Sequence, residues 1–173
     1  MICIVRHGQT NYNLEKRITG RIDIELNETG KQEAKLLKEK LKDIQFNYVF
    51  SSPLKRCIQT AKIITNKKII IDERLIERSN GKLEGVTKDE LPLDVVFNDT
   101  KENKYGLEPI SDIEKRVISF FNEINQKYPG KNILIVTHGG VIINMRRFLN
   151  GLPKSGNVEE YLCKNCEFIT YKN

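Results

Sequence analysis

The sequence has no apolar run long enough to cross a bilayer. Its longest are of the size of "ILIV" and "KIIID", where a spanning helix needs about 20 residues. It has no block of five like charges and no basic stripe interleaved with aromatics, so nucleic acid is not an expected partner. No internal repeat or low-complexity tract is present. Neither G-x-G-x-x-G nor G-x-x-x-x-G-K-[ST] occurs, which leaves no indication of a nucleotide-phosphate loop. The start "MICIV" lacks a basic n-region and a small-residue cleavage site, and the expected location is the cytoplasm. There are only four cysteines. Cys3 and Cys57 sit in apolar patterns and are expected as small core residues. Cys163 and Cys166 form a single "CKNC" with no second Cys/His pair, so zinc is not indicated, and both are read as structural.

What remains is a chain of 173 residues, 39% hydrophobic and 30% charged, of net charge +6 from 29 Lys and Arg against 23 Asp and Glu. That composition fits one globular domain over 1–173 with a full core. The positive balance is mostly a Lys-rich solvated surface, with some attraction for anions. The apolar period switches repeatedly. Short runs at 2–6, 48–51, 69–72, 133–137 and about 166–171 read as strands, most of them buried on both faces. Helical patterns lie between them. The first starts at an Asn27 cap and shows Ala34, Leu37, Leu41 and Ile44 on one face. The second opens "SSPLKR", with Ser52 as cap and Pro53 at the first helical position. The third opens on a Ser111–Glu114 capping box and carries Ile113, Val117, Phe120, Phe121 and Ile124. The fourth follows Gly139-Gly140 and stops at "NGLP". Alternation of this kind predicts an α/β sandwich with a largely parallel sheet. The stretch 86–110, polar and interrupted by Pro92 and Pro109, is a candidate lid or substrate-selecting segment.

The two histidines of the chain both follow strand-type runs, in "CIVRHG" and "LIVTHGG". In open α/β sheets, ligands bind beyond the carboxyl ends of the strands. The first strand delivers Arg6, His7 and Gly8 there. The second delivers Ser51, Ser52 and a helix with Arg56 on its first turn. The strand at 133–137 delivers His138 and Gly139-Gly140, and the segment after the third carries Glu77 and Glu84. Two guanidinium groups, two imidazoles and two helix starts at one sheet edge suit a multiply charged anion such as a phosphoryl group. A divalent cation would be repelled by the arginines.

These residues, in this order, resemble the histidine phosphatase superfamily, which includes cofactor-dependent phosphoglycerate mutases and many small phosphatases. The likeness runs through "RHGQT", Asn13, "ITGRIDIELNETG", "SSPLKRCIQTA", "ERSNGKLEG", "GLEPISDIEKRV", "VTHGG" and Asn165-Cys166. It implies a three-layer, phosphoglycerate mutase-like sandwich. It implies His7 as the nucleophile, with Arg6, Arg56 and His138 around the phosphoryl oxygens, and Asn13 and Gly139 as further phosphate contacts. Thr19 and Gly20 would line the substrate wall; Thr19 stands where many members carry Gln. Glu77 would be the general acid. No metal or cofactor is expected. The expected partner is a small phosphorylated metabolite such as α-ribazole phosphate. A mutase would carry a longer insertion after the acid, with paired arginines. Segment 86–110 is short and contains none, which favours a phosphatase over a mutase and over a non-catalytic phosphate-binding protein.

Overall fold

The computed structural model describes residues 1–92, 104–151 and 161–172. Five strands form one sheet: β1 (Ile2–Arg6), β2 (Tyr48–Ser51), β3 (Ile69–Ile71), β4 (Ile133–Thr137) and β5 (Phe168–Tyr171), in the order β3-β2-β4-β1-β5. The first four run parallel, and β5 closes the edge antiparallel to β1. Each parallel strand feeds a crossover that returns over a face of the sheet, so both faces are covered.

The side-chain alternation of the strands divides the core in two. On one face Ile2, Ile4, Phe50, Ile133 and Ile135 pack against α4 (Ile110–Lys127) and α5 (Gly139–Asn150). On the other, Cys3, Val5, Val49, Leu134 and Val136 pack against α2 (Glu28–Lys40) and α3 (Lys55–Ile64). The helix stripes expected from sequence serve as that packing: Ile113, Val117, Phe120, Phe121 and Ile124 of α4 are all buried. Helix, sheet and helix thus make the three-layer sandwich. No described helix is long and apolar enough to cross a membrane.

Several boundaries differ from expectation. Ser52 does not cap α3. Its N–H still pairs with the Val136 carbonyl, continuing the sheet, and Leu54 takes the N-cap position without a side-chain cap. The Ser111–Glu114 box does not form, because α4 starts two residues earlier, with Pro109 rather than Ser111 as N-cap. β3 stops at Ile71, and Asp72 begins a short turn of 3-10 helix at Glu73–Leu75. β5 starts at Phe168, because Cys166 adopts a left-handed φ of 52°. A short helix not foreseen, α1 (Asn11–Leu14), follows β1; its capping box joins Thr10 to Asn13. Cys163 packs on the α4–α5 side and Cys166 on the α2–α3 side, and all four cysteines are free thiols. Of the candidate lid at 86–110, residues 93–103 lie outside the described residues.

The topology brings the expected site together. β1 and β4 are neighbours, with Arg6 opposite Thr137. The next residues, His7 and His138, therefore leave adjacent strands side by side. From there the chain turns to opposite faces, toward α2 and α5, which makes the gap between β1 and β4 a topological switch point.

Candidate functional site

The two imidazoles are buried, with ring centroids 5.2 Å apart and planes at 63°. His7 is fixed from three sides. Its backbone N–H bonds the Thr137 carbonyl at 3.0 Å. Its carbonyl accepts from the Asn165 amide at 2.9 Å. Its Nδ1 lies 2.8 Å from the Gly8 carbonyl oxygen. Since a carbonyl can only accept, Nδ1 carries the proton and Nε2 carries the lone pair. Gly8 is itself pinned: its N–H donates to the Thr60 hydroxyl at 3.0 Å. A Cβ at Gly8 would sit 2.6 Å from the Gly30 carbonyl oxygen, so only glycine allows the loop to pass this close to the start of α2.

His138 has both ring nitrogens engaged. Arg56 Nε donates to Nδ1 at 3.3 Å, and Nε2 stands 2.7 Å from the Ser52 hydroxyl. The Ser52 side chain is thus a partner of the site, besides accepting the Leu54 N–H at the start of α3 at 3.4 Å. The Cys57 sulfur lies under the same ring, 3.4 Å from Nε2. Burial pushes the Cys57 thiol up to about 12, which keeps it protonated and inert. Burial first, and the charges of Arg56 and then Arg6 next, hold the His7 imidazole well below its ordinary range. Burial and Arg56 do the same to His138. Both rings are therefore neutral in the ligand-free protein at pH 7.

Arg56 is fully buried. Its Nη1 donates to the Ile22 carbonyl and its Nη2 to the Gly20 carbonyl, each at 2.8 Å. This grip brings the Thr19–Gly20 wall against the site. Gly20 adopts φ +50°, and a side chain there would collide with the Glu84 carboxylate. Glu84 instead accepts from the Arg21 and Asn80 N–H groups, each at 3.0 Å, which marks it as a loop brace. Arg6 Nη1 donates to the Cys163 carbonyl at 2.6 Å, while its Nε is buried without a partner among the described residues. That nitrogen faces the start of α5, 3.6 Å from where a Gly139 Cβ would be.

Asn13 sits at the third position of α1. Its Oδ1 accepts from the Thr10 N–H, the Thr10 hydroxyl and the Asn165 amide. With the oxygen so occupied, the amide nitrogen is the end left to meet a ligand. Glu77 joins the site from the other wall. One carboxylate oxygen accepts the Arg78 N–H at 2.8 Å, and the other accepts the Gly140 N–H at 3.3 Å. Glu77 therefore lies over the first turn of α5, one residue beyond Gly139. Every sequence-expected residue (Arg6, His7, Asn13, Thr19, Gly20, Arg56, Glu77, His138 and Gly139) is in or beside this cluster.

Sequence reasoning brought Ser52 to this edge as a helix cap rather than as the partner of His138, and passed over Thr60 on Gly8 and Asn165 on His7 and Asn13. Thr60 and Asn165 lie inside quoted motifs, and the Thr10–Asn13 spacing carries the capping signature, but no local pattern states whom they contact. Among the described residues no group of three His, Cys, Asp or Glu could hold a metal ion.

This arrangement suits binding of a tetrahedral dianion and attack on it by a neutral imidazole. The sequence model of the histidine phosphatase superfamily (branch 1) matches residues 2–171. The chain is 35% identical over 145 residues to uncharacterized phosphatase PhoE of Bacillus subtilis, covering 82% of this chain and 72% of that one. It is 36% identical to a 2,3-bisphosphoglycerate-dependent phosphoglycerate mutase of Cytophaga hutchinsonii, covering 80% and 72%. A mycobacterial glucosyl-3-phosphoglycerate phosphatase solved with VO3 superposes with TM-score 0.83 at 27% identity, covering 96% of this chain and 90% of that one. A phosphoserine phosphatase of Entamoeba histolytica, solved with 3-phosphoglyceric acid, superposes with TM-score 0.81 at 26% identity, covering 96% and 87%.

Proposed function

The chain belongs to the histidine phosphatase superfamily and is a phosphatase of that type, and from that premise we propose that it hydrolyses small phosphomonoesters through a phosphohistidine on His7. The observation that carries the reading is the bond from His7 Nδ1–H to the Gly8 carbonyl. It leaves a lone pair on Nε2, in a neutral ring, beside two guanidinium groups. Nε2 attacks phosphorus, the P–O ester bond breaks, and its electron pair leaves with the ester oxygen. Glu77 supplies the proton that this oxygen takes. Arg6, Arg56, the Asn13 amide and the Gly139 N–H meet the charge of the transferring group. To join them, His138 must exchange Ser52 or Arg56 for a phosphoryl oxygen. In the second half-reaction Glu77 takes a proton from water, the water oxygen attacks phosphorus, and the P–N bond breaks to restore His7 and release phosphate. No step requires a metal to make the nucleophile.

The substrate class we propose is a small phosphorylated metabolite. It draws on relatives and structural neighbours named for phosphoserine and for glucosyl-3-phosphoglycerate; α-ribazole phosphate belongs in the same panel. The four free thiols fit the cytoplasmic setting that goes with such substrates.

Rapid quenching with labelled substrate tests the mechanism. The label should appear on His7, acid-labile and base-stable, and His7→Ala should abolish both label and turnover. Label on His138 with His7 bare would reverse the assignment, and an active enzyme without label would remove the covalent step. Phosphate release across a monoester panel, with little interconversion of 2- and 3-phosphoglycerate, separates hydrolase from mutase. Fast isomerisation without release would overturn the phosphatase reading.

A further inference from the structure

Glu108 lies outside the cluster just described, yet it ties together several parts of the site's framework. It is only 13% exposed and meets two arginines. Arg116 of α4, 14% exposed, grips it with both prongs: Nε to Oε1 at 3.0 Å and Nη2 to Oε2 at 3.1 Å. Arg21, from the substrate wall, reaches the same Oε2 at 3.1 Å.

The far ends of these contacts converge on the segment that bears Glu77. Arg21 Nε donates to the Glu77 carbonyl at 3.0 Å. Arg78 Nε donates to the Glu108 carbonyl at 2.8 Å. The Ser79 N–H donates to Glu108 Oε2 at 3.3 Å, and the Glu108 N–H returns a bond to the Ser79 carbonyl at 2.8 Å. Arg116 also holds the Arg74 carbonyl at 2.6 Å, upstream of the same segment. Three consecutive residues, 77 to 79, are thus tied to Glu108, and Glu108 is tied to α4. The Glu77 carboxylate depends on that placement. Its contact with the Gly140 N–H is long already, at 3.3 Å, and a small slide of the segment would remove it.

We propose that Glu108 is a positioning residue for Glu77, acting through Arg21 and Ser79 to hold the acid over the first turn of α5. The proposal rests on the reading of Glu77 as the proton donor. A carboxylate suits this task because its two oxygens take four donors at once. An amide cannot do this, since in either orientation its NH2 faces an arginine donor.

The test is Glu108→Gln, assayed with an alkyl phosphomonoester and with p-nitrophenyl phosphate, whose leaving group needs little protonation. We expect kcat/KM to fall roughly 10- to 100-fold for the alkyl ester and within about 3-fold for the nitrophenyl ester. Inhibition by inorganic phosphate should keep its strength, because Glu108 does not touch the phosphoryl pocket. Adding Glu108→Gln to Glu77→Gln should cost little more than Glu77→Gln alone. Equal losses for the two esters, or losses that multiply in the double variant, would overturn the proposal and leave Glu108 a purely structural residue. If Glu77→Gln itself costs the two esters equally, the proton-donor reading fails, and the proposal falls with it. Should Glu108→Gln not fold, Arg21→Met carries the same test, since Arg21 is 39% exposed and bonds the Glu77 carbonyl directly. It should reproduce the leaving-group dependence at smaller size, and a variant with none would equally overturn the proposal.

Discussion

Gly140→Ala is a one-methyl displacement of Glu77. A Cβ at position 140 would lie 2.6 Å from Glu77 Oε1, 3.4 Å from its carboxyl carbon and 3.7 Å from Oε2. Normal contact would require the carboxylate to retreat by roughly 1 Å. Because the colliding atom is the end of a side chain, the fold can absorb the change. Gly140 is inside α5, where alanine gains up to about 1 kcal/mol over glycine, so the variant should unfold at the wild-type temperature or slightly above it. Catalysis should suffer instead. A misplacement of about 1 Å costs up to about 10²-fold, or about 2.7 kcal/mol in the barrier, and it should fall on substrates whose leaving oxygen needs a proton. The assay pairs kcat/KM for an alkyl phosphomonoester and for p-nitrophenyl phosphate with a thermal melt. Gly139→Ala is the internal control. Its Cβ would stand 3.3 Å from Leu162 Cδ2 and 3.6 Å from Arg6 Nε, away from Glu77. It should weaken phosphate binding equally for both esters. Wild-type turnover of the alkyl ester by Gly140→Ala would refute the claim that the position of Glu77 over α5 matters to the reaction.

Two further predictions concern charge. Activity should survive excess EDTA and be inhibited by vanadate, because the proposed nucleophile is the His7 lone pair oriented by Gly8 and two arginines oppose a cation at the site; loss on chelation that a divalent ion restores would contradict this. Stability should fall as pH drops below 6.5, the ordinary histidine value. There the unfolded chain takes up protons that the buried His7 and His138 refuse, at up to about 1.4 kcal/mol per pH unit for each ring. In urea unfolding between about pH 7.5 and about pH 5.5, the pH slope should be shallower in His138→Gln by about half a proton on average, approaching one proton at the acid end; an unchanged slope would mean that His138 is protonated in the folded protein.

The parts of the fold legible in the sequence were those with one strong period. The buried runs of β1, β2 and β4 have the expected bounds, and the α4 stripe is buried residue for residue. The helix starts failed where tertiary demand overrode local chemistry. The Ser52 hydroxyl goes to His138 Nε2, so α3 begins without a side-chain cap. At α4, the fixed φ of Pro109 lets the helix start before Ser111 can cap it. The strand-end residues were legible because parallel strands must present their carboxyl ends to one edge. Ser52, Thr60, Asn165 and Glu108 were not, because each works through a contact 52 to 158 positions away or across a bend of the loop. Residue spacing records helix faces and strand sides, not such meetings.

The ligand-free site is held in a state that a phosphoryl dianion would relieve. Arg56 rests one hydrogen of each terminal nitrogen on the Gly20 and Ile22 carbonyls, which leaves the second hydrogens for an anion. Arg6 has spent Nη1 on Cys163, and its Nε has no acceptor among the described residues. A buried donor without a partner costs about 1–3 kcal/mol. The helix start at Gly139, 3.6 Å in Cβ reach from that nitrogen, adds a first-turn N–H that has no acceptor within its own helix. Burial first, and then the two guanidinium groups, hold the imidazoles neutral. Once a dianion offsets their charge, the same arginines no longer oppose a proton on His138, while on His7 the Gly8 carbonyl fixes the neutral tautomer that carries its lone pair on Nε2. The two histidines, equivalent by strand position, are thereby separated by what their second nitrogen meets: a fixed carbonyl in one case, and exchangeable partners, Arg56 and Ser52, in the other. The first arrangement suits the nucleophile proposed for His7, and the second suits a group that can answer charge when it arrives.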